Sequence, residues 1–257
     1  MDELQFMDVV RTALSDVQDR RGPAVMEPET PENFQATLDR FKNRPRSGQL
    51  ALLEPLSACA AGLNINLSVV ETVKEAGESI LNLVREKSPE YGTEKKVAAW
   101  RHPLIDRLDI ESGLAEADIP LVLPPEGDLS PEFRAAYREE VAGAFVGITA
   151  ADYCVAETAT LTMKNNSGHP RIVSLLPVIH VGVVTLDQLV ENLSELYFRL
   201  QWDPNEAGAP GGASGGIGNG MTFISGPSKT GDIELVMVHG AHGPRELHLC
   251  VVTGETR

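Results

Sequence analysis

An α/β fold with a mainly parallel sheet is what this sequence predicts, and three observations carry the prediction. Short apolar runs of strand length alternate with longer amphipathic segments from Gln49 onward. A strong helix start, Ser130-Pro131-Glu132, opens one of those segments, and Val178–Val184 is an apolar run fit for a buried strand. Alternation of this kind builds βαβ units whose strands share one parallel sheet.

Leu4, Met7, Val10, Leu14 and Val17 recur at helical spacing, so an amphipathic helix opens the chain. Residues 22–31 are rich in Pro and Glu and read as a linker, and Thr30-Pro31 starts a second helix with Phe34, Leu38 and Phe41 on its apolar stripe. Residues 1–45 therefore read as a helical arm, laid on the main domain or on a partner chain, with residues 46–257 as the α/β domain. Within that domain the pattern predicts a helix over 49–61 stopping at Gly62, a strand over Leu63–Val69 and a helix over 71–87. A strand at Lys96–Trp100, a helix over Pro103–Ala117 and a strand at Ile119–Leu123 follow. Ser130 caps the next helix, Pro131 fills its first turn and Glu132 suits its dipole. Then come a strand at Ala144–Ile148, one or two short strands in Tyr153–Met163, the Val178–Val184 strand and a helix over Leu186–Leu200. A glycine-rich loop, 204–220, precedes strands at Met221–Ile224 and Leu247–Val252.

The charge balance narrows the partners. Lys and Arg total 22 against 37 Asp and Glu, a net charge of -15. Such a chain repels phosphate backbones and anionic membrane surfaces at long range, so nucleic-acid binding is not expected. No signal peptide or membrane-length apolar run is present, so a cytoplasmic location without membrane insertion is expected. Cys59, Cys154 and Cys250 stand far apart, with no Cys-x-x-Cys pair to build a cluster or a zinc site. They read as reduced, buried thiols, and no cofactor or metal site is recognisable in the chain.

Ser225–Arg245 is the richest segment. Ser225, Gly226, Ser228, Lys229 and Thr230 follow a strand and precede what reads as a helix from about Thr230. Backbone N–H groups at such a turn favour a phosphate or carboxylate, with Lys229 adding charge. The segment is not a Walker A loop, because Ser228 and not Gly precedes Lys229. The plain alternative is a capped turn with Asp232 in the first helical turn. His242, before Gly243-Pro244 and Arg245, reads either as an acid or base near neutral pH or as a partner for turn carbonyls. His239 completes no metal-ligand pattern. Glu157, beside Thr158 and Thr160 at the end of an apolar run, reads as a base, nucleophile or ligand clamp, or as a hydrogen-bonded structural carboxylate. His180, inside an apolar strand, reads first as a satisfied core histidine and second as a ligand contact.

Three ordered stretches then carry a resemblance: GITAADYCVAETATLTM from Gly147, SLLPVIHVGVV from Ser174, and FISGPSKTGDIELVMVHGAHGPRELHLCVV from Phe223. Together they resemble the LUD-domain family, in particular the LutC (YkgG-like) lactate-utilisation proteins. The likeness covers roughly 49–253 and is strongest from Gly147 to Val252. It implies a three-layer α/β fold like that of sugar-phosphate isomerases and CoA transferases. It also implies a part in oxidising L-lactate to pyruvate, as one component of an oxidoreductase complex whose iron–sulfur clusters lie in separate partner subunits.

The motif positions that transfer are Ala156-Glu157-Thr158 with Thr160, Pro177 with His180, Ser225 to Thr230 with Asp232 and Glu234, and His242-Gly243-Pro244. Ala159 departs from the family's usual Gly, which hinders a positive φ there, and Gly231 departs from the usual Ala. On this reading a small carboxylate or phosphate sits by Ser225–Thr230, with Glu157 and His242 as the candidate proton-transfer groups. Two other readings stay open: a stand-alone isomerase, CoA transferase or ligase working through Glu157, and a non-catalytic assembly subunit using the arm.

Overall fold

The computed structural model describes residues 31–90, 92–125, 130–165, 168–202, 220–231 and 237–254. The chain divides into two units, residues 1–42 and 43–257. The first contributes one described helix, α1 (Pro31–Lys42), which starts at the proline the sequence marks. The helix expected over Leu4–Val17 and most of the glycine-rich loop lie outside the described residues.

The second unit opens with helices α2 (Arg46–Ala51) and α3 (Leu53–Leu63). The stop is Asn64 in the left-handed region, φ 59°, not Gly62 as the sequence suggested. Strand β1 (Ile65–Val70) follows, then α4 (Val73–Glu86), held by a capping box in which Thr72 and Glu75 satisfy each other's backbone N–H. Next are β2 (Glu94–Ala99), α5 (Pro103–Asp106), α6 (Ile110–Glu116) and β3 (Leu121–Val122). The single helix expected over Pro103–Ala117 is thus broken, at Asp109 with φ 52°. Leu104, Ile105 and Leu108 share one helical face with the core, and Ile110 would leave that face on a straight helix. The break lets Ile110 and Leu114 be buried as well.

Helix α7 (Pro131–Ala142) starts as the Ser130 cap predicts, with Phe133 N–H donating to Ser130 Oγ at 3.4 Å. The remaining strands are β4 (Ala144–Ala150), β5 (Tyr153–Val155), β6 (Thr160–Lys164), β7 (Ile179–Thr185), β8 (Leu189–Val190), β9 (Met221–Ile224), β10 (Lys229–Gly231), β11 (Met237–His239) and β12 (Glu246–Val252). The helix expected over Leu186–Leu200 begins later, as α8 (Leu193–Trp202). Leu189 and Val190 instead extend a sheet by pairing with Cys154 and Val155, and Asn192 caps α8 by accepting from Glu195 N–H at 2.9 Å.

Six strands form one parallel sheet in the order β1-β12-β7-β4-β2-β3. One face packs on α4, α5 and α6 through Val73, Ile80, Leu104 and Leu114 against Val146, Ile148 and Val181. The other face packs on α3 and on a smaller sheet, β8-β5-β6-β9, through Leu56, Leu161 and Met163 against Leu249 and Val251. The result is the three-layer α/β fold the sequence led one to expect. Gly147 is needed where the layers meet: a Cβ there would lie 2.0 Å from the Val173 carbonyl oxygen and 2.9 Å from Pro177 Cγ. Its hydrogen lets the 3₁₀ turn Arg171–Ser174 approach the sheet beside His180, which Gly147 pairs with in register.

Candidate functional site

The segment after β9 folds differently from the sequence expectation. Thr230 does not begin a helix; Lys229–Gly231 forms an antiparallel ladder with Met237–His239. Thr230 and Val238 are β-branched and suit a strand better than a short helix. An anion at this turn therefore gains nothing from a helix dipole. What replaces the helix is a folded-back segment: Ser228 N–H donates to Pro244 O at 2.8 Å and Gly240 N–H donates to Ser228 O at 3.0 Å. Gly226 provides the required positive φ, 124°.

Beside these bonds lies an open cavity of about 380 Å³. Ser225, Gly226, Ser228, Lys229, Thr230 and His242 line it, together with Gly243 and His180. Its size falls in the range of small-molecule sites. Ser228 Oγ accepts from the His242 backbone N–H at 3.2 Å, which leaves the hydroxyl proton to be donated. Ser225 Oγ is held by Thr160 Oγ1 at 2.7 Å, and Thr160 Oγ1 by Thr158 Oγ1 at 2.8 Å. The two threonines thus position Ser225 from behind. Lys229 Nζ donates to Leu63 O at 2.9 Å, so its charge also satisfies the carboxyl end of α3. The ammonium has two further donors for a ligand.

His180 is fully buried and stands one residue into β7. Its Nε2 contacts Thr149 Oγ1 at 2.9 Å, and Thr149 Oγ1 contacts Met163 Sδ at 3.3 Å. Its Nδ1 is buried with no hydrogen-bond partner among the described residues. Burial, with a smaller contribution from His248, pushes its pKa down to about 3, so the ring is neutral.

Two sequence candidates stand elsewhere. Glu157 is exposed in the turn between β5 and β6 and does not line the cavity, so the expectation of a buried carboxylate in need of a partner is not met. The apolar run ends one residue earlier, at buried Ala156. Arg245 is ion-paired with Glu90 and lines a separate cavity of about 190 Å³. Asp232 and Glu234 lie outside the described residues. Ala159 nonetheless takes φ 46°, the positive value that an alanine in place of the family's glycine was expected to hinder.

The sequence did not single out Ser174, Leu175, Phe223 and Leu247 as cavity walls, or Thr149 as the partner of His180. A second constellation also went unread. At the carboxyl ends of β2 and β4, His169 stacks on Trp100 at 4.6 Å and lies 5.2 Å from His102, beside Arg101 and Asp152. A larger cleft of about 520 Å³, between α4 and the sheet, is lined by Ser68, His248 and Cys250 but also by Glu75, Glu78 and Glu86. Its three carboxylates oppose an anion, so the smaller cavity fits an anionic ligand better.

The LUD domain profile matches residues 54–252. The chain belongs to the LUD domain family. The matched region contains the whole six-stranded sheet and every cavity-lining residue. Within the family the chain is similar to "Lactate utilization protein C" of Halalkalibacterium halodurans, with 30% identity over 194 residues, 75% of each chain. It is similar to "Lactate utilization protein B" of Shouchella clausii, with 25% identity over 77% of this chain and 38% of that one. A crystal structure of a DUF162 family protein from Deinococcus radiodurans shares the fold, with TM-score 0.51 and 20% identity over 79% of this chain and 98% of that one. Among the described residues of this LUD domain, no helix is long and apolar enough to cross a membrane. All three cysteines are free, and burial pushes the Cys154 thiol up to about 12.

Proposed function

We propose that this LUD-domain chain acts in lactate utilisation as a LutC-like subunit and that its 380 Å³ cavity holds a small carboxylate or phosphate anion. The names of its relatives support the role. The convergence of Ser225, Ser228, Lys229, Thr230, His180 and His242 on one cavity supports the ligand class. Hydroxyl and ammonium donors, with no carboxylate among the described residues that line the cavity, suit an anion that the chain's overall negative charge would otherwise repel. His242, exposed at the rim, is the proton-transfer candidate that the geometry retains. Oxidation of a 2-hydroxy acid to a 2-oxo acid releases two electrons and two protons. The electrons, on this reading, pass to separate iron–sulfur subunits, and the cytoplasm is where the complex works.

The test has two parts. Titration calorimetry of the purified chain with L-lactate and with inorganic phosphate is expected to show binding that Ser225→Ala with Ser228→Ala weakens at least tenfold. In a strain lacking the native gene, the same double variant is expected to fail to restore growth on L-lactate, and the intact chain is expected to co-purify with cysteine-rich iron–sulfur proteins. Full growth with the double variant would overturn the cavity's role.

A second location is favoured by topology. The chain leaves β2 toward one edge of the sheet and leaves β4 toward the other, so β2 and β4 flank a switch point, where open parallel sheets commonly hold ligands outside the strands' carboxyl ends. The Ser225 cavity lies at the opposite, amino-terminal ends of β7 and β12. If His169→Ala and Arg101→Ala abolish growth on lactate while the serine variants do not, the ligand belongs at the switch point.

A further inference from the structure

We infer that His180 is a specificity-determining residue, accepting at Nδ1 a hydrogen bond from a hydroxyl of the cavity's ligand and so selecting a 2-hydroxy acid over its 2-oxo product. The inference rests on the cavity's reading as an anion site and adds the identity of the group that discriminates.

The count of protons around the ring decides its tautomer. Thr149 Oγ1 carries one hydrogen and stands 2.9 Å from His180 Nε2 and 3.3 Å from Met163 Sδ. A thioether sulfur can only accept. If Nε2–H donates to Oγ1 and Oγ1–H donates to Sδ, all three groups are satisfied. If Oγ1–H donates to Nε2 instead, the sulfur loses its donor. The imidazole proton then sits on Nδ1, as a buried N–H with no acceptor among the described residues. Orphaned N–H groups are the rarer and costlier defect in folded proteins. The Nε2–H tautomer is therefore the stable one, and Nδ1 presents a lone pair. Burial keeps the ring neutral, so the lone pair persists at physiological pH.

His180 lines the same cavity as the hydroxyl and ammonium donors of Ser225 to Thr230. One part of the wall donates, and His180, whose Nδ1 is covered in this structure, accepts where the ligand displaces that cover. A ligand that satisfies both carries an anionic group and an adjacent O–H donor, which is the arrangement of a 2-hydroxy acid. A 2-oxo acid offers only acceptors, and its keto oxygen would meet the Nδ1 lone pair with its own. Sites that leave a buried polar group unpaired reject such analogues strongly.

The experiment compares L-lactate and pyruvate binding by titration calorimetry at neutral pH, using the wild-type chain and His180→Gln. A glutamine amide nitrogen takes roughly the place of Nε2, so this variant keeps a donor for Thr149 and removes the Nδ1 acceptor. The wild-type chain is expected to prefer L-lactate by about tenfold or more. His180→Gln is expected to lose that preference by weakening lactate while leaving pyruvate within about twofold of its wild-type affinity. Equal wild-type affinities, or an equal loss of both ligands in the variant, overturn the inference and leave the anion site standing. Failure of the wild-type chain to bind either anion overturns the site and the inference together. Long-range ¹H–¹⁵N NMR of the wild-type imidazole needs no variant: a neutral Nε2–H ring is expected, and an Nδ1–H ring, or an Nδ1 satisfied by a retained water in the bound complex, overturns the inference.

Discussion

The turn at Glu157 and the start of β7 at His180 each bring a titratable side chain close to β6, in opposite surroundings. Glu157 follows an apolar run yet is exposed, while the neighbouring Ala156 and Ala159 are buried. His180 sits in an apolar strand and is fully buried, with one nitrogen committed to Thr149. The turn points its carboxylate outward and its hydroxyls, Thr158 and Thr160, toward Ser225. The contrast teaches that an apolar neighbourhood in sequence does not decide burial. A side chain in a turn can leave the core, and one on a strand face covered by a second layer cannot.

The largest expected effect is on acid stability. In the unfolded chain the His180 imidazole takes up a proton near pH 6.5, while the folded chain resists protonation down to about 3. The unfolded state thus binds the extra proton across that window, and stability falls as pH falls through it, by at most about 1.4 kcal/mol per pH unit. Above about pH 6.5 the group adds no slope. Urea midpoints measured between pH 7 and pH 4 should show a shallower decline for His180→Gln than for the wild-type chain. The same decline in both would place the acid sensitivity elsewhere.

Gly147→Ala comes next. Its new methyl meets the Val173 carbonyl, which cannot move without lifting the 3₁₀ turn off the sheet, so a cost of about 1–3 kcal/mol is expected from denaturation curves. Ser225→Ala removes the end of the Thr158–Thr160–Ser225 chain; about 1 kcal/mol of stability should be lost, with a larger fractional loss of anion affinity by calorimetry. Ala159→Gly should change stability by less than about 1 kcal/mol, because relief of the positive φ, about 1–2 kcal/mol, is offset by the lost burial of a methyl and the entropy of glycine. Smallest of all, Glu157→Gln should leave the melting temperature, anion binding and growth on lactate unchanged; a loss of activity would restore Glu157 as a catalytic residue and break the contrast.

Much of this molecule was legible in its amino acids. The Ser130 cap, the Pro31 start and the apolar run at β7 act through neighbours a few residues away, and each element formed where those signals stood. The grouping of Ser225, Ser228 and Thr230 around one ligand-sized space was legible too, because glycine and serine close together make turns wherever they occur. Other features depended on which face of a segment found a partner across the fold. Leu189 and Val190 read as helix until β5 offered an edge to pair with. Thr230 read as a helix start until Met237–His239 came alongside. His180 read as a satisfied core histidine, and only the approach of Thr149 and Met163 decides which of its nitrogens is satisfied. Sequence determined the elements whose hydrophobic period and caps are local. Tertiary structure decided the exposure of Glu157, the antiparallel pairing at Lys229 and the bare acceptor of His180, because hydrogen-bond partners distant in the chain are chosen only when the layers pack.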